Sequence, residues 1–577
     1  MIKEGIIASS GIAIATAFVY AKVELNIEET TVTDTEGEIT RLQGALTESK
    51  AQLAGIKEKA AADLGAEEAE IFEAHAMVLE DPEFVDSIIG EINGNHYSAV
   101  YATKVVTDRF YDLFDAMDDP YFRGRAADIR DVGTRVMNNI MGVDNVDISS
   151  LDEDTIIIAE DLAPSDTAQM DKKRVKGFAT DIGSRTSHTA IMARSLEIPA
   201  VLGLGDITSA VGNGQTVIVD GIQGKVIVDP SEGELAEYQQ KKADYEAYMA
   251  ELSQLKEQPA ETKDGHRVEL VGNIGSPADV EGVLNNGGEG VGLYRTEFLY
   301  MDSDVMPDEE KQFAAYKTVI ESFKGGAVII RTLDIGGDKK LPYLPLPEEM
   351  NPFLGLRAIR LCFERPEMFK TQLRAILRAS AYGTAKIMFP MISGIGEVRQ
   401  AKGILAECMA ELDAEGIAYD KGIGVGIMVE IPSAAVTADI IAKEVDFFSI
   451  GTNDLCQYTL AVDRMNQTVS YLYDPLNPAI LRLVRKVIEA SDSYPGKFTG
   501  MCGEMAGDPY ATLVLLGLGL NEFSMSAPSI PQVKKIIRSV SFETAKEIAE
   551  EALDLETGEE VQAMIKAKLN ELDIKIV

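Results

Sequence analysis

Cysteine, histidine, positive charge and long apolar runs are all scarce in this 577-residue chain. The four cysteines, Cys362, Cys408, Cys456 and Cys502, include no Cys-x-x-Cys pair. They are too sparse for a disulfide framework and fit a reducing, cytoplasmic compartment. Lysine and arginine number 54 against 94 aspartate and glutamate, a net charge of -40. So acidic a chain excludes nucleic acid and anionic membranes as partners and favours a basic protein. No apolar run approaches the roughly 20 residues of a membrane span, so no membrane insertion is expected. The apolar N-terminus is interrupted by Glu4, Gly5 and Gly11, and charge resumes at Lys22 and Glu24. It reads as a strand or hairpin rather than a leader.

What the chain does contain is enough hydrophobic residue, 46%, for three or more domains. From about Thr30 to Met141, Leu42, Leu46, Leu53 and Ile56 recur at helical spacing, and Asp81-Pro82 makes a turn. Short apolar strands such as Thr155 to Ala159 and Thr216 to Val219 then alternate with glycine turns. Residues 1–20 are expected to join this α/β unit, leaving the helical stretch as an insertion. A charged helical run over 232–258, ending near Pro259, reads as a spacer. Beyond Arg267, eight short apolar runs begin at Val268, Gly290, Ala327, Lys386, Gly424, Phe447, Lys497 and Glu522. Most are separated by helix-length stretches, the pattern of a (β/α)8 barrel. A small helix over Pro277 to Asn285 bridges the short first gap.

Seven of the eight runs are followed by groups that carry chemistry: Asn273, Arg295, Arg331, Glu430, Asn453 with Asp454, Cys502 and Ser526. In barrels, that rim is where side chains converge. Arg295, Arg331, Arg464 and Arg357 would make a cationic site for a substrate bearing phosphate and carboxylate. Glu430 and Asp454 supply two hard oxygen ligands of the kind that hold Mg2+ in phosphoryl transfer. Salt bridges among these same residues are the alternative. Cys502 could donate a proton to a carbanionic product or be a buried inert thiol. His188, one of only four histidines, sits where Gly183-Ser184-Arg185-Thr186-Ser187 meets an apolar helical run. The helix start favours a negative group near the ring and keeps the imidazole neutral and nucleophilic. An incidental histidine at a helix start fits the same spacing.

Four strings together resemble one family: Thr186 to Arg194, Asp334-Ile335-Gly336-Gly337-Asp338-Lys339, Glu430-Ile431-Pro432-Ser433 and Gly451-Thr452-Asn453-Asp454-Leu455. With Gly500 to Glu504, they resemble the phosphoenolpyruvate-protein phosphotransferases, the Enzyme I family of the bacterial sugar phosphotransferase system. The resemblance runs end to end in domain order. It implies a multidomain α/β protein, with an α/β phosphohistidine swivelling domain (1–20 and 145–230) and an inserted all-α helical domain (21–144). A helical linker (231–260) and a C-terminal (β/α)8 TIM barrel (261–577) follow.

By the same resemblance, His188 takes the phosphoryl group of phosphoenolpyruvate, releasing pyruvate, and passes it to a histidine of the phosphocarrier protein HPr. Arg295, Arg331 and Arg464 hold the phosphate, Asn453 helps fix the carboxylate, and Arg357 lines the site. Glu430 and Asp454 hold Mg2+, Cys502 protonates the enolate carbon, and Thr167 orients the imidazole. Glu67, Glu68 and His75 belong to an HPr-docking helix, and the barrel forms a homodimer. The departure is Ser184, where the family usually shows a second glycine. Pyruvate phosphate dikinase and phosphoenolpyruvate synthase would need an ATP-binding domain, for which about 120 helical residues leave no place. A nitrogen-regulatory paralogue would need a sensory domain ahead of Glu28. A silent binding protein on the same fold would not be expected to keep the arginine, carboxylate, cysteine and histidine positions intact.

Overall fold

The computed structural model describes the chain except residues 21–26, 64–65, 118–125, 144–147, 149–150, 152, 169, 172, 185–186, 197, 302, 338, 340, 467 and 577. The side chains at 62–63, 66–70, 164, 188, 191 and 195 also lie outside it. Short apolar runs build eight N-terminal strands: β1 (Ile2–Glu4), β2 (Ile6–Ser9), β3 (Ile12–Tyr20), β4 (Thr155–Ala159), β5 (Val175–Thr180), β6 (Ala200–Leu202), β7 (Thr216–Asp220) and β8 (Lys225–Val228). They form one sheet in the order β1-β8-β7-β3-β4-β5-β6-β2. Strands β3 to β6 are parallel, and the remaining pairs are antiparallel. The sheet therefore draws on residues 2–20 and 155–228, and the elements described between them are helices. The boundary expected at 145 falls outside the described residues.

That helical module contains α1 (Thr35–Asp63), α2 (Ala66–Val78), α3 (Pro82–Asn95), α4 (Ala99–Asp115) and α5 (Ala126–Met141). Asp81 caps α3 by accepting the Glu83 N–H, with Pro82 in the first turn where its missing N–H costs nothing. Leu42, Leu46, Leu53 and Ile56 are buried together, as their spacing predicts. Two short helices of the α/β layer, α6 (Pro164–Ala168) and α7 (His188–Leu196), each place a residue in this helical core, Ala168 and Met192. Sheet and helical module thus belong to one compact unit, Met1–Tyr248. The charged run 232–258 is α8 (Glu232–Gln254), and the unit boundary falls within it.

The second unit, Met249–Ile576, is built on a closed parallel barrel. Its strands are β9 (Glu269–Ile274), β10 (Val291–Arg295), β11 (Val328–Arg331), β12 (Ala385–Phe389), β13 (Gly424–Val429), β14 (Phe447–Ile450), β15 (Phe498–Met501) and β16 (Glu522–Met525). Each falls within a residue or two of an apolar run read from the sequence, apart from the C-terminal end of β9, which extends to Ile274. The expected small helix after β9 spans Asp279–Asn285. Leu293, Ile329, Met388, Met428, Phe447 and Cys502 share a cluster of their own inside the barrel. Among the described residues, no helix is long and apolar enough to cross a membrane.

Because Met192 is buried in the helical core from the α/β layer, Met192→Ala should cost about 2–5 kcal/mol there. Scanning calorimetry should show the N-terminal unit melting earlier while the barrel transition stays in place.

Candidate active site

The C-terminal ends of the barrel strands bring the charged groups together. β10 ends on Arg295, half-buried and without a hydrogen-bond or ion-pair partner among the described residues. β11 ends on Arg331, which is buried. Its Nη2 donates to Glu297 Oε1 at 2.5 Å, and its Nη1 lies 3.1 Å from Asp334 Oδ2. Lys339 Nζ reaches the same Glu297 oxygen at 2.8 Å. Arg357 donates from Nη2 to both oxygens of Asp334, at 2.9 and 3.2 Å, and to Asp454 Oδ2 at 3.3 Å. Gly336 permits this approach: its φ is +111, and a Cβ there would sit 2.6 Å from Arg357 Cβ.

Burial pushes the carboxyl of Asp334 up, but Arg331 and Arg357 outweigh it and hold it below the usual carboxylate range. Glu297 behaves the same way: burial raises it, and Arg331 and Lys339 bring it below its ordinary value. Two anionic carboxylates therefore fix the guanidinium planes of Arg331 and Arg357, while Arg295 remains uncommitted.

Glu430 follows β13 and is only 2% exposed. Its Oε1 accepts the N–H of Met391 at 2.5 Å. Met391, just beyond β12, has φ +54, the left-handed region that is unfavourable for any residue but glycine. This N–H is what the β12 end contributes, where the sequence offered no reactive side chain. Burial, then Asp454 and Asp334, push the Glu430 carboxyl up to about 8. Two carboxylates that crowd each other, with hard oxygen donors, fit a divalent cation such as Mg2+. No group of three or more His, Cys, Asp or Glu gathers for a metal among the described residues. The protein would thus supply two ligands and leave the others to substrate and water.

Cys502 lies just past β15, buried, with its Sγ 3.9 Å from Ile450 O. Burial pushes the thiol up to about 11, against the Ser449 hydroxyl, Arg331 and Arg295, which pull it down. It is protonated at neutral pH, which suits an acid rather than a nucleophile. At the rim, Asn453 Nδ2 donates to Glu504 Oε1 at 3.1 Å and Asn453 Oδ1 accepts the Glu504 N–H at 2.9 Å. Arg464 Nη1 stands 3.7 Å from the same Glu504 oxygen.

In the N-terminal unit, His188 is the first residue of α7, and Ser187 caps that helix by accepting the Ala190 N–H at 3.3 Å. The exposed Ser184 anchors the cap, its carbonyl accepting both the Ser187 N–H and hydroxyl. The His188 imidazole lies outside the described residues. Thr167 is fully buried on α6, which packs against α7, and its hydroxyl donates to Ala163 O at 3.3 Å. The side chains of Glu67 and Glu68 also lie outside the described residues.

His75 differs from the expectation of a docking face. It is 1% exposed, edge-on to Phe72, with Nε2 3.3 Å from Asp128 Oδ1 and Nδ1 3.8 Å from Asp131 Oδ2. Phe72, His75 and Leu79 follow i, i+3, i+7 spacing, so the ring falls on the buried stripe of α2. Sequence reasoning also gave no role to Glu297, Asp334 or Lys339. Thr296-Glu297 directly after Arg295, and the Asp334 to Lys339 string, were the available signals.

Residues 249–542 match the PEP-binding domain of PEP-utilising enzymes, residues 4–125 their N-terminal domain and 151–224 their mobile domain. Phosphoenolpyruvate-protein phosphotransferases of Listeria innocua and Bacillus subtilis are each 55% identical to the chain, over 98% of it and 99% of their own length. That of Priestia megaterium is 56% identical over 98% of each chain. A solution structure of Enzyme I (nEIt) aligns with 42% of the chain and 99% of its own, at 46% identity and a TM-score of 0.39. The barrel with its arginine and carboxylate rim is that of a PEP-utilising enzyme. Within that class, the chain belongs to the phosphoenolpyruvate-protein phosphotransferase family.

The raised carboxyl of Glu430 sets a pH dependence. Its folded-state value lies above its ordinary 4.5, so its contribution to stability is full below 4.5 and is lost as pH rises through about 8. In metal-free protein, barrel melting should fall across that window more in wild type than in Glu430→Gln, as thermal denaturation at matched ionic strength would show.

Proposed function

We propose that His188 accepts the phosphoryl group of phosphoenolpyruvate at the barrel rim and donates it to a histidine of HPr. The observation that carries this reading is the rim itself, with Arg331 and Arg357 held on Asp334, Arg295 uncommitted, and Glu430 beside Asp454. Phosphoryl transfer asks for positioning and charge neutralisation more than acid-base work. Arg295, Arg331 and Arg464 take the phosphate oxygens, and Arg357 stands beside them. Asn453, tied to Glu504, helps fix the substrate carboxylate. Mg2+ held by Glu430 and Asp454 would neutralise phosphate and enolate oxygens. Cys502, protonated and buried, delivers a proton to the enolate carbon, giving pyruvate. Thr167 sets the tautomer and orientation of the accepting imidazole.

Donor and recipient must both reach one ring, so the phosphohistidine domain moves about the linker, residues 231–260. The shared core of the helical module with Ala168 and Met192 means that a swing about that linker carries the module along with the sheet. HPr docks on the helical module, and the net charge of -40 favours a basic partner face. Because His75 is buried, it acts in docking only from behind the α2 surface. A homodimer through the barrel is supported by apolar side chains exposed on its strand-end loops, with Met350 98%, Tyr471 78% and Met465 73% exposed. Four free cysteines and no membrane-length helix among the described residues agree with a cytoplasmic enzyme.

Incubation with Mg2+ and phosphoenolpyruvate labelled in its phosphate should label the wild-type chain and leave His188→Ala unlabelled. Label that survives His188→Ala, or that never appears in wild type, defeats the reading.

A further inference from the structure

The barrel interior below Cys502 holds polar groups that the rim chemistry does not use. Strands β14 and β15 pair Ser449 directly with Gly500, and β15 and β16 pair Gly500 directly with Glu522. Side chains alternate along a strand, so position 500 and Cys502 face the same side, one repeat apart. Gly500 leaves its place empty, and the Glu522 carboxyl occupies it: a Cβ on Gly500 would lie 2.7 Å from Glu522 Oε1. Glu522 is 2% exposed, and that oxygen has no hydrogen-bond partner among the described residues. Ser449 is fully buried, and its hydroxyl has no partner among the described residues except the Cys502 thiol it faces. Ser449 and Glu522 flank Gly500 in register on the same face of the barrel wall, and two buried oxygens left without hydrogen bonds there are costly.

We propose that Ser449 and Glu522 form a proton relay that recharges Cys502 from the N-terminal end of the barrel. The inference rests on the reading of Cys502 as proton donor to the enolate. When the enolate carbon takes the Cys502 proton, the S–H bond breaks and a C–H bond forms, leaving a buried thiolate. The Ser449 hydroxyl proton moves to Sγ as the Glu522 carboxyl proton moves to Ser449 Oγ. Glu522 is left as a carboxylate and regains its proton from water. The reverse sequence serves proton abstraction from pyruvate.

Glu522 opens β16, at the end of the barrel opposite the rim, so it is the member of the chain nearest that solvent face. The charged groups facing it are Lys386 of β12 and Glu269 of β9. Burial pushes its carboxyl up to about 7, with Lys386 pulling it down, so both protonation states are populated at neutral pH.

The test is deuterium entry into the methyl group of pyruvate, followed by proton NMR, with the full-length enzyme, Mg2+, phosphoenolpyruvate and pyruvate in D2O. Wild type should exchange, with a rate inflection near pH 7, and Cys502→Ala should not. Glu522→Gln should lose about 100-fold in exchange together with that inflection, while its KM for phosphoenolpyruvate and its melting temperature stay at wild-type values. Ser449→Ala should behave likewise, and Ser449→Thr should restore exchange. Wild-type exchange in Glu522→Gln overturns the relay, and so does a loss matched by raised KM and lowered melting temperature. Wild-type exchange in Cys502→Ala instead defeats the reading of the thiol, and the relay falls with it.

Discussion

Asp334 lies buried between two guanidinium groups, and the chemistry of the barrel rim depends on that arrangement. Two arginines buried side by side repel each other and lose hydration, a penalty of several kcal/mol per ion if left uncompensated. Asp334 meets Arg331 at 3.1 Å and Arg357 at 2.9 Å, and Glu297 takes the other edge of Arg331. Compensation is incomplete by design of the geometry: Arg331 Nε is buried with no partner among the described residues. The site is thereby preorganised around cations whose remaining donors await an anion. Arg357 also reaches Asp454 at 3.3 Å, and Asp454 in turn crowds Glu430, so the guanidinium cluster runs on into the carboxylates that the proposed Mg2+ would join.

Backbone geometry supports this electrostatic frame. Gly336 lets its loop close on Arg357, and Met391 is held in a left-handed conformation that aims an N–H at Glu430. Such strain persists only where surrounding packing over-determines it. The proposed phosphoacceptor, His188, lies on a different element altogether, at the capped start of α7, whose Met192 is buried in the helical module. In the proposed cycle the rim belongs to the barrel, and the accepting ring is the part that would move.

The architecture was largely legible in the chain because the barrel strands are apolar runs, all but β12 ended by a polar, cysteine or glycine residue, a local signal. Arg295, Arg331, Glu430, Asp454 and Cys502 were legible for the same reason, since they sit at or just past those runs. Met391 was not, because its contribution is a backbone N–H and a torsion angle, neither of which depends on side-chain type. The family resemblance places His75 on a docking helix, yet its spacing with Phe72 and Leu79 puts the ring inside. Glu297 and Asp334 escaped assignment because their role is to compensate other groups, which emerges only when 34, 23 and 3 residues of separation collapse to contact. Glu522 opens an apolar run, and only its pairing opposite Gly500 and its burial show that the carboxyl lies inside the barrel.

If Asp334 is what holds Arg331 and Arg357 ready, its removal must be felt first in substrate binding. Calorimetric titration of full-length Asp334→Asn with phosphoenolpyruvate and Mg2+ measures this directly. The account expects affinity to fall by about 100-fold while the barrel remains folded, on the scale of 2–5 kcal/mol for breaking a buried charge pair. Wild-type affinity in Asp334→Asn would contradict it.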